Sequence, residues 1–120
     1  VQLEDDEIYR PDIAGWRRDR MPAVPKEVPI RMRPDWICEV LSRSNASNDT
    51  VKKMRTYHRA GVPYSWIVDP DDQTFTVYRW TPEGYLVAVA AQRGDRVRAE
   101  PLEAIEIKVD SLFAEDDDED

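Results

Sequence analysis

The sequence predicts an α/β fold of the α+β kind: a β-sheet with a flanking helix and a C-terminal β-hairpin region. Three observations carry this. The stretch from Pro34 to Pro70, PDWICEVLSRSNASNDTVKKMRTYHRAGVPYSWIVDP, reads as strand, loop, helix, strand. Residues 74–80 alternate apolar and polar side chains at the period of a half-buried strand. Residues 85–91 follow a Thr81-Pro82-Glu83-Gly84 turn signal as the hairpin partner.

The chain opens on Val1–Leu3 as a strand fragment, a charged turn over Glu4–Glu7 and a returning strand from Ile8, so residues 1–18 read as a hairpin. Pro11 sits where the inner part of that strand begins, and Asp12 starts the otherwise apolar run Asp12-Ile13-Ala14-Gly15-Trp16. Residues 19–33 hold Pro22, Pro25 and Pro29 among charges, which predicts an extended loop.

The next strand spans Asp35–Ser42. Side chains alternate between the faces of a strand, so Trp36, Cys38 and Val40 share one face and Ile37, Glu39 and Leu41 the other. Both faces are apolar, the pattern of a central strand covered on two sides. Glu39 is the exception. A buried carboxylate needs a partner or a metal ion.

A helix follows, capped by Ser47 or Asn48, with Asp49 at its positive end and Gly61 as its stop. With Val51 set at 0° and a step of about 100° per residue, Ala60, Tyr57, Met54 and His58 run from about 180° to 340° and close one apolar arc with Val51. Lys52, Arg55, Thr56 and Arg59 lie between about 40° and 140°, the expected solvent face. Lys53 falls near 200°, at the edge of the apolar arc and directed toward the sheet. A lysine there either snorkels or meets a carboxylate, and Glu39 is the carboxylate at hand. Beyond the helix come a strand at Tyr64–Val68, a turn at Asp69-Pro70-Asp71-Asp72, the hairpin already noted, an expected edge strand at Ala104–Val109 and a closing turn at residues 110–113.

Composition narrows the function classes. The chain has 120 residues, 41% of them hydrophobic, with four Trp and a net charge of −8. It suits one globular domain, assigned to residues 1–113. Residues 115–120 supply six of the negative charges, and residues 114–120 are expected to form a disordered acidic tail. The remainder is near neutral, unlike a basic nucleic-acid binder. Lys52, Lys53, Arg55 and Arg59, with Arg43 before them, nevertheless make a local basic strip. Cys38 is the single cysteine, which excludes an internal disulfide or a cysteine zinc cluster and points to the cytoplasm. No apolar run approaches a membrane span. His58 lacks partners for zinc or for a serine triad, and Trp16, Trp36, Trp66 and Trp80 read as core or partly buried positions.

An Asp at one strand start, a Glu in the next and a Lys on the following helix form a chemically coherent set. Two carboxylates can hold Mg²⁺, with Mn²⁺ substituting, and the backbone carbonyl of Val40 can add an oxygen ligand. Such an ion polarises a phosphodiester, while a lysine beside it orients water and stabilises growing negative charge. Asp35 is a rival second ligand. It stands four residues from Glu39, about 13 Å along a strand, too far to share one ion, so Asp12 is the better partner.

The order Pro11-Asp12, Pro34-Asp35-x-x-x-Glu39-Val40-Leu41-Ser42, Asp49-x-x-x-Lys53-x-x-x-Tyr57, Ala60-Gly61-Val62-Pro63 and Trp66-Ile67-Val68-Asp69-Pro70 resembles the Uma-type endonuclease family of the PD-(D/E)XK nuclease superfamily. The resemblance implies a restriction-endonuclease-like mixed sheet and a metal-dependent phosphodiesterase acting on nucleic acid, DNA by expectation. Asp12 and Glu39 would then be metal ligands and Lys53 the catalytic lysine. A homodimer is an expectation on the same footing. The superfamily usually places its lysine two residues after the Glu, where this chain has Leu41; the family places it on the helix. Arg43 replaces the proline of a Ser-Pro-Ser loop, and Tyr64-Ser65-Trp66 replaces Glu-Tyr-Trp. Family members carry an N-terminal helix and strand before the region of Val1, so the domain is expected to be N-terminally incomplete. The alternative is a catalytically inactive nucleic-acid-binding or homodimeric module on the same fold.

Overall fold

The computed structural model describes residues 2–4, 7–8, 13–15, 32–41 and 46–113. In chain order these form β1 (Gln2–Glu4), β2 (Glu7–Ile8), β3 (Ile13–Gly15), β4 (Trp36–Val40), α1 (Ala46–Ala60), β5 (Tyr64–Asp69), β6 (Thr74–Thr81), β7 (Gly84–Gln92), β8 (Arg96–Val97) and β9 (Ile107–Lys108). A 3-10 turn at Val109–Leu112 follows. β1 and β2 pair as the expected antiparallel hairpin. The expectations for Pro11, Asp12, Trp16, residues 17–31, residues 42–45 with Arg43, and residues 114–120 lie outside the described residues.

The main sheet is mixed, in the order β3-β4-β5-β6-β7. β3 is antiparallel to β4, with Ile13 opposite Cys38 and Gly15 opposite Trp36. β4 and β5 are parallel, from Trp36 opposite Tyr64 to Val40 opposite Val68. Parallel neighbours need a crossover, and α1 supplies it. β6 and β7 then turn back antiparallel, and the register slips between Val77 and Tyr78, where a bulge takes up one extra residue of β7.

The strand pattern sorts the core into two layers. Cys38, Trp66, Val68, Phe75, Val77 and Ala91 point away from α1 and pack with Ala99, Val109 and Phe113 from the C-terminal segment. Trp66 is edge-on to both Trp36 and Phe75, with ring centroids 4.9 and 5.1 Å away. On the other face Ile37, Tyr57 and Val62 form a smaller layer, joined by Ala14, Met54, Ala60 and Tyr85. β4 thus has both faces covered, as its sequence predicts.

Two expectations are corrected. Residues 104–109 do not make an edge strand of the main sheet. Only Ile107–Lys108 is strand, and it pairs with β8 in a separate two-stranded sheet. Ile107 and Val109 are more useful against the far-side core than on a sheet edge, and turns at residues 100–104 fold the segment back to place them there. The second correction concerns the roll of α1. Val51 is 49% exposed and Thr56 only 2%. Lys52, Arg55 and Arg59 are exposed, as expected. The exposed arc therefore runs from about 0° to 100°, and the buried arc centres near 230° instead of 270°. Lys53 near 200° lies well inside the inward-facing side.

α1 ends in a Schellman motif. Gly61 has φ +78°, its N–H donates to His58 O at 2.9 Å, and the Val62 N–H donates to Tyr57 O at 3.0 Å. The left-handed conformation at Gly61 is one that a side chain resists. Arg33 Nη1 donates to Gly61 O, tying this turn to the start of β4. At the start of β4, a Cβ on Gly15 would lie 2.8 Å from Cε3 of the Trp36 ring. That ring is wedged against Trp66, so Gly15→Ala is expected to destabilise the fold by about 1–3 kcal/mol, read by urea denaturation.

Candidate active site on the helix face of β4

Glu39 is the fourth residue of β4 and shares with Ile37 the face that α1 covers. It is 6% exposed. Lys53 and Tyr57 approach it from one turn of α1, four residues apart and so stacked on one side of the helix. Lys53 Nζ lies 3.3 Å from Glu39 Oε1, and Tyr57 Oη donates to Glu39 Oε2 at 2.6 Å. The carboxylate meets a cation on one oxygen and a hydroxyl donor on the other, which is what makes a buried charge tolerable. The Lys53 side chain retains 20% of its exposure, so the pair sits at the rim of the core.

The inward charges singled out in the sequence therefore share a site. The sequence places Tyr57 on the apolar arc of the helix and in the Lys53-x-x-x-Tyr57 motif without assigning it a role; its place four residues after Lys53 is the signal that ties it to the same carboxylate. The basic strip is divided. Lys53 turns in, while Lys52, Arg55 and Arg59 face outward on the other side of α1. Arg59 Nη2 also donates to Thr56 Oγ1 at 3.1 Å.

Other candidates fall elsewhere. Asp35 is buried at the opposite end of β4 from Glu39, with Arg33 Nη2 4.0 Å from its Oδ1. Cys38, the single cysteine, is buried on the far face. His58 is tied into a structural cluster: its Nε2 lies 2.7 Å from Thr81 O and its ring stacks on Trp80 at 5.2 Å. Trp80 Nε1 donates to His58 O at 2.9 Å, closing the contact between α1 and β6. Tyr85 Oη donates to Val62 O at 2.8 Å, and burial pushes its phenol up to about 12.

Glu39 itself offers carboxylate oxygens, the ligand chemistry of a hard divalent cation, beside the Lys53 ammonium and the Tyr57 hydroxyl. Among the described residues no three His, Cys, Asp or Glu side chains gather to hold a metal ion. Asp12 lies outside them. The chain continues into β3 at Ile13, opposite Cys38, the residue before Glu39. Among the described residues no helix is long and apolar enough to cross a membrane.

A parallel strand–helix–strand unit within a mixed five-stranded sheet, with a buried Glu–Lys pair beneath the helix, is a restriction-endonuclease-like fold. The chain belongs to the Uma2 family, described as "Putative restriction endonuclease", whose profile it matches over residues 1–110. Among solved structures it is similar to a crystal structure from Anabaena variabilis ATCC 29413, described as a "putative nuclease belonging to DUF820". The two share 25% identity at a TM-score of 0.66, over 88% of this chain and 59% of the other. This chain thus spans about three fifths of that protein's length. No curated protein matches.

Removing the ammonium of Lys53 while keeping its stem leaves Glu39 with one partner fewer. Lys53→Met is expected to lower stability at neutral pH by about 1.5–3 kcal/mol. Combined with Glu39→Gln it is expected to cost less than the sum, with a coupling of about 1 kcal/mol or more in a urea double-mutant cycle.

Proposed function

We propose that this chain forms the core of a metal-dependent endonuclease that hydrolyses phosphodiester bonds, with DNA as substrate. The observation that carries the reading is the buried Glu39–Lys53 pair in a chain of the Uma2 family. A lysine drawn under a helix onto a strand carboxylate is a costly arrangement for a scaffold, and a useful one for chemistry on a phosphate.

In this reading Glu39 and Asp12, with the backbone carbonyl of Val40, hold Mg²⁺, and Mn²⁺ substitutes. Asp12 stands two residues before Ala14, as Glu39 stands two after Ile37, and Ala14 and Ile37 are cross-strand partners. When bound, the ion supplies Lewis-acid polarisation of the phosphoryl oxygen and a more acidic water. Lys53 has the residues' other part. Its ammonium is already fixed beside Glu39 Oε1. From there it orients the attacking water and stabilises the charge that builds on the phosphate oxygens. Removing one such preorganised donor typically slows turnover by about 10²–10³-fold.

Supercoiled DNA with Mg²⁺ or Mn²⁺ tests this. The folded wild-type chain is expected to nick or linearise it. Lys53→Met is expected to lose about 10²–10³-fold in rate with its fold retained by circular dichroism. Cleavage at the wild-type rate by both Lys53→Met and Glu39→Gln would mark the activity as foreign to this site. A folded wild type that cuts no nucleic acid would favour a binding module on the same fold.

A further inference from the structure

Tyr57 carries a contact that apolar packing alone does not require. Its ring is fully buried between Ile37 of β4 and Val62 after α1, a setting that phenylalanine would fill equally well. A buried hydroxyl costs free energy unless it is hydrogen-bonded, and this one is spent on Glu39 Oε2 at 2.6 Å. The ring is also held at its backbone. Tyr57 O accepts the Val62 N–H in the Schellman motif, while Val62 packs on the ring itself. The hydroxyl is therefore a fixed point. Lys53, four residues earlier on the same side of α1, reaches the other oxygen of the same carboxylate at 3.3 Å. Two contacts on two oxygens, both from one helix, constrain the rotation of the Glu39 carboxylate.

We infer that Tyr57 is a positioning residue of this site: its hydroxyl holds Oε2 of Glu39 and so fixes the orientation in which the carboxylate meets Lys53 and the cation. The inference rests on the metal-site reading above and adds a residue to it. Donors that orient a ligating carboxylate usually matter for affinity, and losing one weakens metal binding by about 10–100-fold. A hydroxyl that only completed the packing would leave metal affinity unchanged.

The test compares wild type, Tyr57→Phe and Glu39→Gln by Mn²⁺ calorimetry, with thermal melts for folding. The site is defined as the binding that Glu39→Gln abolishes, which separates it from ions held by the acidic residues 115–120. Tyr57→Phe is expected to fold and to bind at that site about 10–100-fold more weakly with unchanged stoichiometry. In the DNA-cleavage assay the half-saturating Mn²⁺ concentration is expected to rise, with the rate at saturating Mn²⁺ largely recovered. A folded Tyr57→Phe with affinity within twofold of wild type would overturn the inference and leave the metal site standing. Absence of any Glu39-dependent binding in the wild type would overturn the metal-site reading and this inference together. Should Tyr57→Phe not fold, a crystal structure of the Mn²⁺-soaked wild type decides. Tyr57 Oη still donating to Glu39 Oε2 supports the positioning role, and a carboxylate turned away from Tyr57 refutes it.

Discussion

A carboxylate buried under a helix is the constraint on which this structure turns. Glu39 sits on the covered face of β4, where its charge would be costly without partners. Both described partners come from α1, and they are one helical turn apart. The helix makes both contacts by rolling so that Lys53 and Tyr57 face the strand together. That roll has visible consequences. It turns Val51 toward solvent and Thr56 into the interior, against the simple hydrophobic pattern. The Schellman turn at Gly61 then fixes where α1 ends, and Val62 leads directly into β5 beside β4. The polar contact and the apolar layer of Ile37, Tyr57 and Val62 are thus one unit: the ring that packs the layer carries the hydroxyl that holds the carboxylate.

The two faces of the sheet divide the labour. The face away from α1 holds the larger apolar core, closed by Ala99, Val109 and Phe113 from the C-terminal segment. That face contains Cys38, Trp66 and Phe75, and gives the strands a rigid backing. The helix face carries less apolar bulk and has the buried Glu39 at its rim. The strand that carries Glu39 is thus packed on both faces, and in the proposed reading that backing is what preorganised catalysis needs. The Uma2 profile match and the similarity to the Anabaena variabilis structure agree with this fold.

Much of this was legible in the sequence, for identifiable reasons. An apolar run on both faces located β4, period-two alternation located β6, and the turn signal at residues 81–84 located its hairpin partner β7. The Gly61-Val62-Pro63 sequence located the helix stop, since a positive φ favours glycine. Glu39 and Lys53 stood out as charges in apolar settings. The roll of α1 was misjudged by about 40° because Val51 and Thr56 were weighed by hydrophobicity alone, whereas the Glu39 contacts decided the orientation. Residues 104–109 misled for a similar reason. Their alternation is real, but Val109 is spent on the far-side core through a 3-10 turn, not on an edge ladder. The role of the Tyr57 hydroxyl was not legible from its arc position, because an apolar arc accepts tyrosine for its ring without revealing where the hydroxyl goes.

The central claim is that a divalent cation binds beside Glu39. The most direct measurement is paramagnetic broadening of the amide resonances of ¹⁵N-labelled protein by substoichiometric Mn²⁺. Broadening is expected first at residues 12–14 and 38–41 and on α1 around Lys53 and Tyr57, and is expected to vanish from those residues in Glu39→Gln. Broadening confined to residues 115–120, with residues 38–41 unaffected at millimolar Mn²⁺, would contradict the account.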